Sequence, residues 1–382
     1  MTAGTVPAPP LGAAPPRVPV VVTRSHGPAM WAGAATVGVA GVAVLAILPF
    51  IASQGFVTDL VNLLILVCVA TMWNALAGYG GLVSVGQQLY IGAGAYAVLF
   101  CAQHGLETFA AVPVALAFAA VLAVPASWLV FRLSGAYFAI ATWVLAQVAM
   151  LFVERFESLG GGTGAPVPGL TGFGPLQLLR LTYWTDLAIS VLAILSVYVL
   201  LRSRLGLVLT AVRDNEVGAR SVGSRVTAAK RLVYVLSAAG CAGAGAVIAI
   251  SQLDVEPGNV FNVQWTAYMI FAVLIGGLGT IEGPVIGAIV FFVLQQSLAQ
   301  YNAWYLIVLG AIAIAMALWA QRGLWGLFTA KVPLQLFPVG YYVHLPTPTH
   351  LSRSTEEGRP GRRGVGRLVL GTARYQKRRS PQ

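Results

Sequence analysis

Residues that could perform chemistry are few and widely separated in this chain. The cysteines stand singly in apolar segments, without the paired spacing of a disulfide or metal site. They are Cys68, Cys101 and Cys241. The histidines, which are His26, His104, His344 and His350, form no cluster of ligands. The sequence therefore predicts no catalytic residue, no metal site and no cofactor.

Nucleotide binding and proton transfer also lack their usual residues. The phosphate-binding pattern of Gly, four residues, Gly, Lys and Ser or Thr does not occur along the sequence. Acids are scarce in the apolar segments, where Asp59 opens one segment and Glu282 lies in a glycine-rich turn. We therefore expect that the chain is not an enzyme and that any ATP is bound by another chain. The scarcity of acids also argues against a pump driven by an ion gradient.

Charged residues concentrate between Arg202 and Arg231, a stretch that contains seven basic residues. Its central part, from Ala211 to Gly223, has the spacing of a short helix in its first part. Acids near the start of this part complement the positive end of a helix, and a glycine suits its termination. From composition alone, a solvated loop that fixes the membrane orientation is an equally good interpretation.

Glycine-rich segments allow two interpretations. Small residues at four-residue spacing, as in Gly279, Gly283 and Gly287, let helices pack closely. Alternatively, helices broken near 80–86 and 276–283 line a polar route through the membrane. The predicted wall residues of such a route are Ser84, Gln87, Gln88, Thr142 and Gln147.

The composition indicates the elements that must position these residues. Charged residues make up 9% of the chain and hydrophobic residues 58%, whereas a soluble domain carries about 25% charged residues. A span of the bilayer needs about 20 apolar residues in a helix. Ten segments qualify, near 30–50, 57–77, 83–101, 109–131, 135–153, 185–201, 231–251, 263–280, 284–298 and 303–320. The sequence therefore predicts an all-α, polytopic transmembrane helical bundle of about ten spans in the inner (plasma) membrane.

Basic residues fix the predicted orientation, because Lys and Arg accumulate on the cytoplasmic side. With ten spans and a cytoplasmic N-terminus, Arg132, the loop 202–231 and the C-terminus are all cytoplasmic. The predicted outer loops collect acids, at Glu107, Glu154, Glu157, Asp186, Asp254 and Glu256. The net charge of +11 then belongs to loops and tails beside membrane helices, so no nucleic-acid partner is predicted.

Three regions follow from these patterns. Residues 1–29 are rich in proline and are predicted to be a disordered cytoplasmic lead. No signal peptide is expected, because the first apolar run is long enough to remain as a span. Residues 30–328 form the predicted membrane domain with the cytoplasmic loop 202–231. Residues 329–382 form a basic, disordered cytoplasmic tail that could contact anionic membrane lipid.

Several motifs occur in an order that resembles a known family. They are Gly78–Gly86, Gly92–Tyr96, Gly135–Thr142, Gly161–Gly164, the charged loop, Gly276–Ala288 and Arg322–Gly326. Together they resemble the permease subunits of branched-chain amino-acid ABC importers, specifically the longer of the two paired permeases. The resemblance covers roughly residues 55–328.

The resemblance implies a function and a set of partners. The chain would be the permease subunit that carries branched-chain or related small amino acids into the cell. Its partners would be a homologous permease subunit, two ATP-binding subunits and an extracytoplasmic substrate-binding protein. A permease for urea or short amides in the same family, or a secondary transporter driven by a gradient, remains an alternative.

The resemblance also implies a role for the charged loop. A short helix there would dock on an ATP-binding subunit and transmit its movement to the membrane helices. The predicted coupling residues are Arg213, Asp214, Asn215, Glu216, Ala219 and Gly223.

Overall fold

The computed structural model describes residues 21–24, 28–170, 172–221, 225–298, 304–319, 323–331 and 341–344. Its helices are α1 (Pro28–Ile51), α2 (Gln54–Asn74), α3 (Gln88–Gln103), α4 (Ala111–Val130), α5 (Ala136–Val153), α6 (Pro175–Arg202), α7 (Arg204–Asp214), α8 (Glu216–Ser221), α9 (Val226–Gln252), α10 (Pro257–Val260), α11 (Val263–Gly276), α12 (Glu282–Leu298), α13 (Trp304–Trp319) and α14 (Gly323–Lys331). The strands are β1 (Val21–Arg24), β2 (Ala165–Pro166), β3 (Asp254–Val255) and β4 (Tyr341–His344). The chain divides into two units, Met1–Ser25 with Tyr341–Gln382, and His26–Gly340.

The smaller unit contributes one described feature, the antiparallel pairing of β1 with β4. Most of the predicted lead 1–29 and tail 329–382 lies outside the described residues. From these two segments the structure describes only β1, the first two residues of α1, the last three residues of α14 and β4.

The larger unit is a helical bundle whose core surrounds α2 and α9. Helix α9 packs against α3 and α4, and α2 packs against α6. Glycines make these contacts close: a Cβ at Gly94 would clash with the Ala242 carbonyl, and one at Gly245 with the Ile91 carbonyl. Small residues therefore let the backbones of α3 and α9 approach directly, as is common where membrane helices cross.

Every predicted span overlaps a helix, so the all-α membrane bundle is confirmed. In the described part of the chain, six helical segments are long and apolar enough to cross a membrane. They are Gln54–Tyr79, Ala111–Val130, Ala136–Val153, Pro175–Arg202, Val226–Gln252 and Pro257–Gly276. The apolar stretches Gly38–Ile51 and Glu282–Leu298 are shorter. The number of crossings and the side of each terminus stay predictions.

The prediction that Asp186 lies in an outer loop is wrong. Asp186 lies within α6, which begins at Pro175, and its side chain is 0% exposed. The predicted span began only at 185, because Arg180 and several polar residues interrupt the apolar pattern before it. Proline at the first position of α6 fits an earlier start, since proline is tolerated there and sets the backbone angle that a helix needs.

Two pairs of successive helices, α2 with α3 and α11 with α12, are joined by short glycine-containing segments. After α2 the chain makes a π-helical turn at Ala75–Tyr79 and is then non-helical until α3 begins at Gln88. Between α11 and α12 a short turn contains Gly277 and Gly279, both with positive φ. We call these the first break (residues 75–87) and the second break (residues 277–281). Both coincide with the glycine-rich segments in which the sequence suggested broken helices.

Candidate functional site

The charged loop folds into two short helices, α7 and α8. Ser203 caps α7, because its hydroxyl accepts a hydrogen bond from the Leu205 amide over 3.2 Å. Asn215 separates the helices, and its Oδ1 accepts from the Gly218 amide over 2.9 Å. Side-chain oxygens at these positions satisfy amides that a helix start leaves unpaired. Where the sequence predicted a single helix over 213–223, the structure has the end of α7 followed by α8. We call α7 and α8 the charged helix pair.

Ionic contacts hold α8 against α9. Glu216 pairs with Arg220 over 2.9 Å and with Lys230 of α9 over 2.7 Å. The hydrogen bond from Lys230, supported by Arg220, lowers the pKa of the Glu216 carboxyl below its ordinary value. Among the predicted coupling residues, Glu216 therefore orients α8 within the chain.

Ala219 packs inward. It is buried with Val212 of α7 and Val226 of α9 in a small apolar cluster. Its small size therefore suits contact between helices of this chain. Asp214 is the last residue of α7, and the predicted residue Gly223 lies outside the described residues.

Arg213 connects the charged helix pair to both breaks. Its Nη1 donates to the Gly78 carbonyl in the first break over 3.5 Å. A Cβ at Gly279 in the second break would lie 2.8 Å from the same nitrogen, and a Cβ at Gly81 would lie 4.0 Å from the Arg213 Cα. The last turn of α7 thus rests where the two breaks meet.

The two breaks are also bonded to each other. Asn74, at the end of α2, donates from Nδ2 to the Thr280 carbonyl over 2.8 Å and accepts from the Gly279 amide over 2.8 Å. Gly78 packs directly on the Gly279 backbone. We call the contacts among Asn74, Gly78, Gly279 and Thr280 the break junction. Sequence analysis missed Asn74, although a lone amide at the end of an apolar run was a usable signal.

Three of the predicted wall residues, Ser84, Gln87 and Gln88, lie just before or at the start of α3, and Thr142 and Gln147 lie on α5. Ser84, Gln87, Gln88 and Thr142 are all at most 2% exposed. The Thr142 hydroxyl accepts from the Val85 amide over 3.2 Å, and the Ser84 hydroxyl accepts from the Gly86 amide over 3.2 Å. Four predicted residues are therefore brought together around the first break.

Two further hydroxyls complete this group. Ser237 of α9 lies 3.4 Å from the Gln87 Oε1, and the Thr266 hydroxyl of α11 donates to the Gln88 Oε1. We call the six residues Ser84, Gln87, Gln88, Thr142, Ser237 and Thr266 the polar cluster. Gln147 is half-buried further along α5, and in the described part of the chain it forms no hydrogen bond with the cluster.

The polar cluster retains unused hydrogen-bond donors. The Nε2 atoms of Gln87 and Gln88 are buried and have no partner among the described residues. Buried amide groups normally find a partner, so a water molecule or a polar ligand would satisfy these two donors. The sequence could not predict that Ser237 and Thr266 belong to this cluster, because they lie on helices that are far from Gln87 and Gln88 along the chain.

The described residues of this region offer no set of metal ligands. In the ranges that the structure describes, no three His, Cys, Asp or Glu side chains group as metal ligands. The polar cluster offers hydrogen-bond donors and acceptors to a polar group.

Comparison with known proteins identifies the family of the chain. The family model described as the branched-chain amino acid transport system permease component matches residues 55–317. The high-affinity branched-chain amino acid transport system permease protein LivM of Escherichia coli (strain K12) is 26% identical over 303 residues, covering 72% of this chain and 71% of that protein. LivM of Salmonella typhimurium gives the same values.

A more distant relative extends the comparison. The probable branched-chain amino acid transport permease protein LivM of Methanocaldococcus jannaschii is 23% identical over 173 residues, covering 45% of this chain and 50% of that protein. The resemblance first inferred from the ordered glycine motifs is thus confirmed, together with the multi-pass inner-membrane location. The chain belongs to the family of branched-chain amino acid transport system permease components.

Proposed function

We propose that this chain is the membrane-spanning subunit of an ATP-driven importer for branched-chain or related small amino acids. It works with a homologous permease subunit, two ATP-binding subunits and an extracytoplasmic substrate-binding protein. Family membership supports the transport role, and the names of the LivM relatives support the substrate class. ATP hydrolysis takes place on the partner subunits.

The contact of Arg213 with both breaks is the observation that carries this proposal. Closing of an ATP-binding dimer would push on the charged helix pair. Because α8 is tied to α9 by Glu216 and α7 reaches the break junction through Arg213, the pair moves as one piece and displaces both breaks. Packed elements with two discrete arrangements transmit movement in this way.

The polar cluster is the proposed point of solute passage. Its unused amide donors can hydrogen-bond the carboxylate of an amino acid, and the helix start at Gln88 adds a favourable dipole. Discontinuous membrane helices commonly present such ends to anionic groups. Displacement of the first break would then open or close the cluster.

Asp186 favours a second candidate, a transporter driven by an ion gradient. A buried carboxyl within a membrane helix often marks an ion or proton pathway. Asp186 is the one acid of α6, so a relay would need a second acid from another helix. We therefore place gradient coupling second.

The test uses the complete transporter in proteoliposomes. Arg213→Ala removes the link to the breaks, while Arg225→Ala removes an exposed charge from the same loop. We expect Arg213→Ala to retain ATP hydrolysis and to lose uptake by about tenfold or more, which is the loss expected for about 1.4 kcal/mol of coupling. We expect Arg225→Ala to transport normally. Uptake that is equal in both variants would remove the proposed coupling route. Uptake that persists with inactive ATP-binding subunits would favour gradient coupling.

A further inference from the structure

A cavity of about 470 Å³ lies beside the charged helix pair. It is bounded by the first break, by the turn between α4 and α5, by α8 and by the start of α9. Its lining includes the charged residues Arg132, Glu216, Arg220 and Lys230 and the apolar residues Leu133 and Phe138. The polar cluster and the break junction are formed by other side chains, so this is a separate site.

Positive charge dominates the polar side of the cavity. Arg132, Arg220 and Lys230 face one carboxylate, Glu216, which already pairs with the latter two. The excess charge is positive, and Arg132 has no ion pair among the described residues. Such a group of cations attracts a phosphate, whose oxygens can accept from several basic side chains at once.

The other side of the cavity is apolar. Leu82, Val83, Phe131, Leu133 and Phe138 line it, and Val83 and Leu133 are largely exposed. A free phosphate ion would gain nothing from these side chains. An amphiphilic ligand, with a charged head and a hydrocarbon body, would contact both sides.

The helices next to the cavity indicate its position relative to the bilayer. Trp128 on α4 and Tyr137 on α5 flank the turn and are exposed, and the Arg231 guanidinium lies 5.7 Å from the Trp128 ring centroid. Exposed Trp and Tyr side chains are enriched at the membrane–water interface, at the level of lipid headgroups. Leu129 and Ile140 are exposed on the same two helices and offer an apolar surface for acyl chains.

We propose that this cavity binds the phosphate headgroup of an anionic phospholipid, with the acyl chains along α4 and α5. Basic pockets between membrane helices are suited to such headgroups. The lipid would touch both the first break and α8, and would brace the charged helix pair against the membrane domain. The bracing of the charged helix pair by the lipid depends on the proposed function, whereas binding of the lipid does not.

Native mass spectrometry of the purified complex tests binding independently of transport. The complex is taken from nanodiscs that contain phosphatidylglycerol and phosphatidylcholine, and retained lipid is counted. Arg132→Gln should retain phosphatidylglycerol about fivefold less well, from about one basic contact. Arg132→Lys should restore retention. The matched control is Arg155→Gln, which removes an exposed charge after α5, away from the cavity. Equal retention by the wild type, Arg132→Gln and Arg155→Gln would overturn the proposal.

Two further experiments distinguish a lipid headgroup from a soluble phosphate. Millimolar glycerol phosphate, which has the headgroup chemistry without acyl chains, should leave the lipid bound; displacement would show a site for soluble phosphate. Leu133→Asn should weaken phosphatidylglycerol retention, because it makes the apolar side polar, and unchanged retention would count against a lipid. Loss of lipid when the ATP-binding subunits assemble would show that protein fills the cavity. If lipid binding holds but uptake proves independent of ATP, only the proposed function fails.

Discussion

Asn74 and Thr280 join the end of α2 to the second break, because the Asn74 Nδ2 donates to the Thr280 carbonyl over 2.8 Å. The same side chain accepts from the neighbouring Gly279 amide. Asn74 is 1% exposed, so water does not replace either bond at low cost. One amide therefore satisfies two backbone groups that the second break leaves without helical partners.

Asn74→Leu should destabilise the protein by about 1–3 kcal/mol for each backbone group left unsatisfied. Asn74→Asp keeps an acceptor for Gly279 and should cost less. A fluorogenic thiol reagent can follow unfolding, because Cys68 and Cys241 are 0% exposed in the fold. Gln103→Leu is the control, since it removes an exposed hydrogen bond to the Ser158 carbonyl. Equal melting temperatures for Asn74→Leu and Gln103→Leu would contradict the importance of the junction.

Gly279→Ala should be costly for two separable reasons. Its φ of +76° disfavours any side chain by about 1–2 kcal/mol, and the added Cβ would lie 2.8 Å from the Arg213 Nη1. Arg213→Ala in the same chain removes the clash with the Arg213 Nη1 and leaves the cost of the positive φ. The melting temperature of the double variant should therefore exceed the value expected from adding the single effects.

Gly310→Ala provides the matched control for that comparison. Gly310 lies in α13, and an added Cβ there meets no described atom within 4 Å. Alanine is the better helix former, so the substitution should be neutral or slightly stabilising. Strict additivity of Gly279→Ala and Arg213→Ala would mean that the two residues do not touch in solution.

The sequence predicted the helices and offered the breaks as one of two interpretations, but could not show which segments contact each other. Long apolar runs predict helices from composition alone, and the glycines of 80–86 and 276–283 were compatible either with close helix packing or with broken helices. The contacts of Asn74 with Thr280 and of Gln88 with Thr266 join residues far apart in the chain, and no local pattern encodes them. Asp186 was misplaced for a related reason: its burial depends on packing against α2, which hydropathy does not report.

The contact of Glu216 with Lys230 should make the attachment of α8 depend on pH. The pKa of this carboxyl is lowered from its ordinary value of 4.5. Its stabilising contribution is therefore present above that value and is lost as the pH falls through the lowered pKa. Because the side chain is 38% exposed, the contribution should be below about 1 kcal/mol.

Melting curves of Glu216→Gln and the wild type measure this contribution. The variant should melt slightly lower at neutral pH, and the difference should shrink once the pH falls well below 4.5. In a Lys230→Met background the difference should be small at every pH. A difference that grows on acidification would contradict the sign of the pKa shift.

The orientation of the charged loop can be measured with a membrane-impermeant maleimide. Arg225→Cys places a thiol at an exposed position beside α9, and Glu107→Cys places one at an exposed position before α4. We expect Glu107→Cys to react in intact cells and Arg225→Cys only in inverted vesicles. Half-buried Cys101 is replaced by alanine in both to lower the background. Reaction of Arg225→Cys from outside would reverse the predicted topology and separate the loop from any cytoplasmic ATP-binding subunit.

Asp186→Asn separates ATP-driven from gradient-driven transport. Neither carboxyl oxygen of Asp186 has a hydrogen-bond partner among the described residues, and the side chain is 0% exposed. An uncompensated charge there would cost several kcal/mol, so an uncharged side chain of the same shape should not lower the melting temperature. If ATP drives transport, uptake should stay close to the wild-type rate, because no proton or cation has to bind at Asp186. If a gradient drives transport through this carboxyl, uptake should fall while the protein still inserts and melts normally. Ser190→Ala, one turn along α6, is the control for packing, since it removes the hydrogen bond to the Leu64 carbonyl without changing charge.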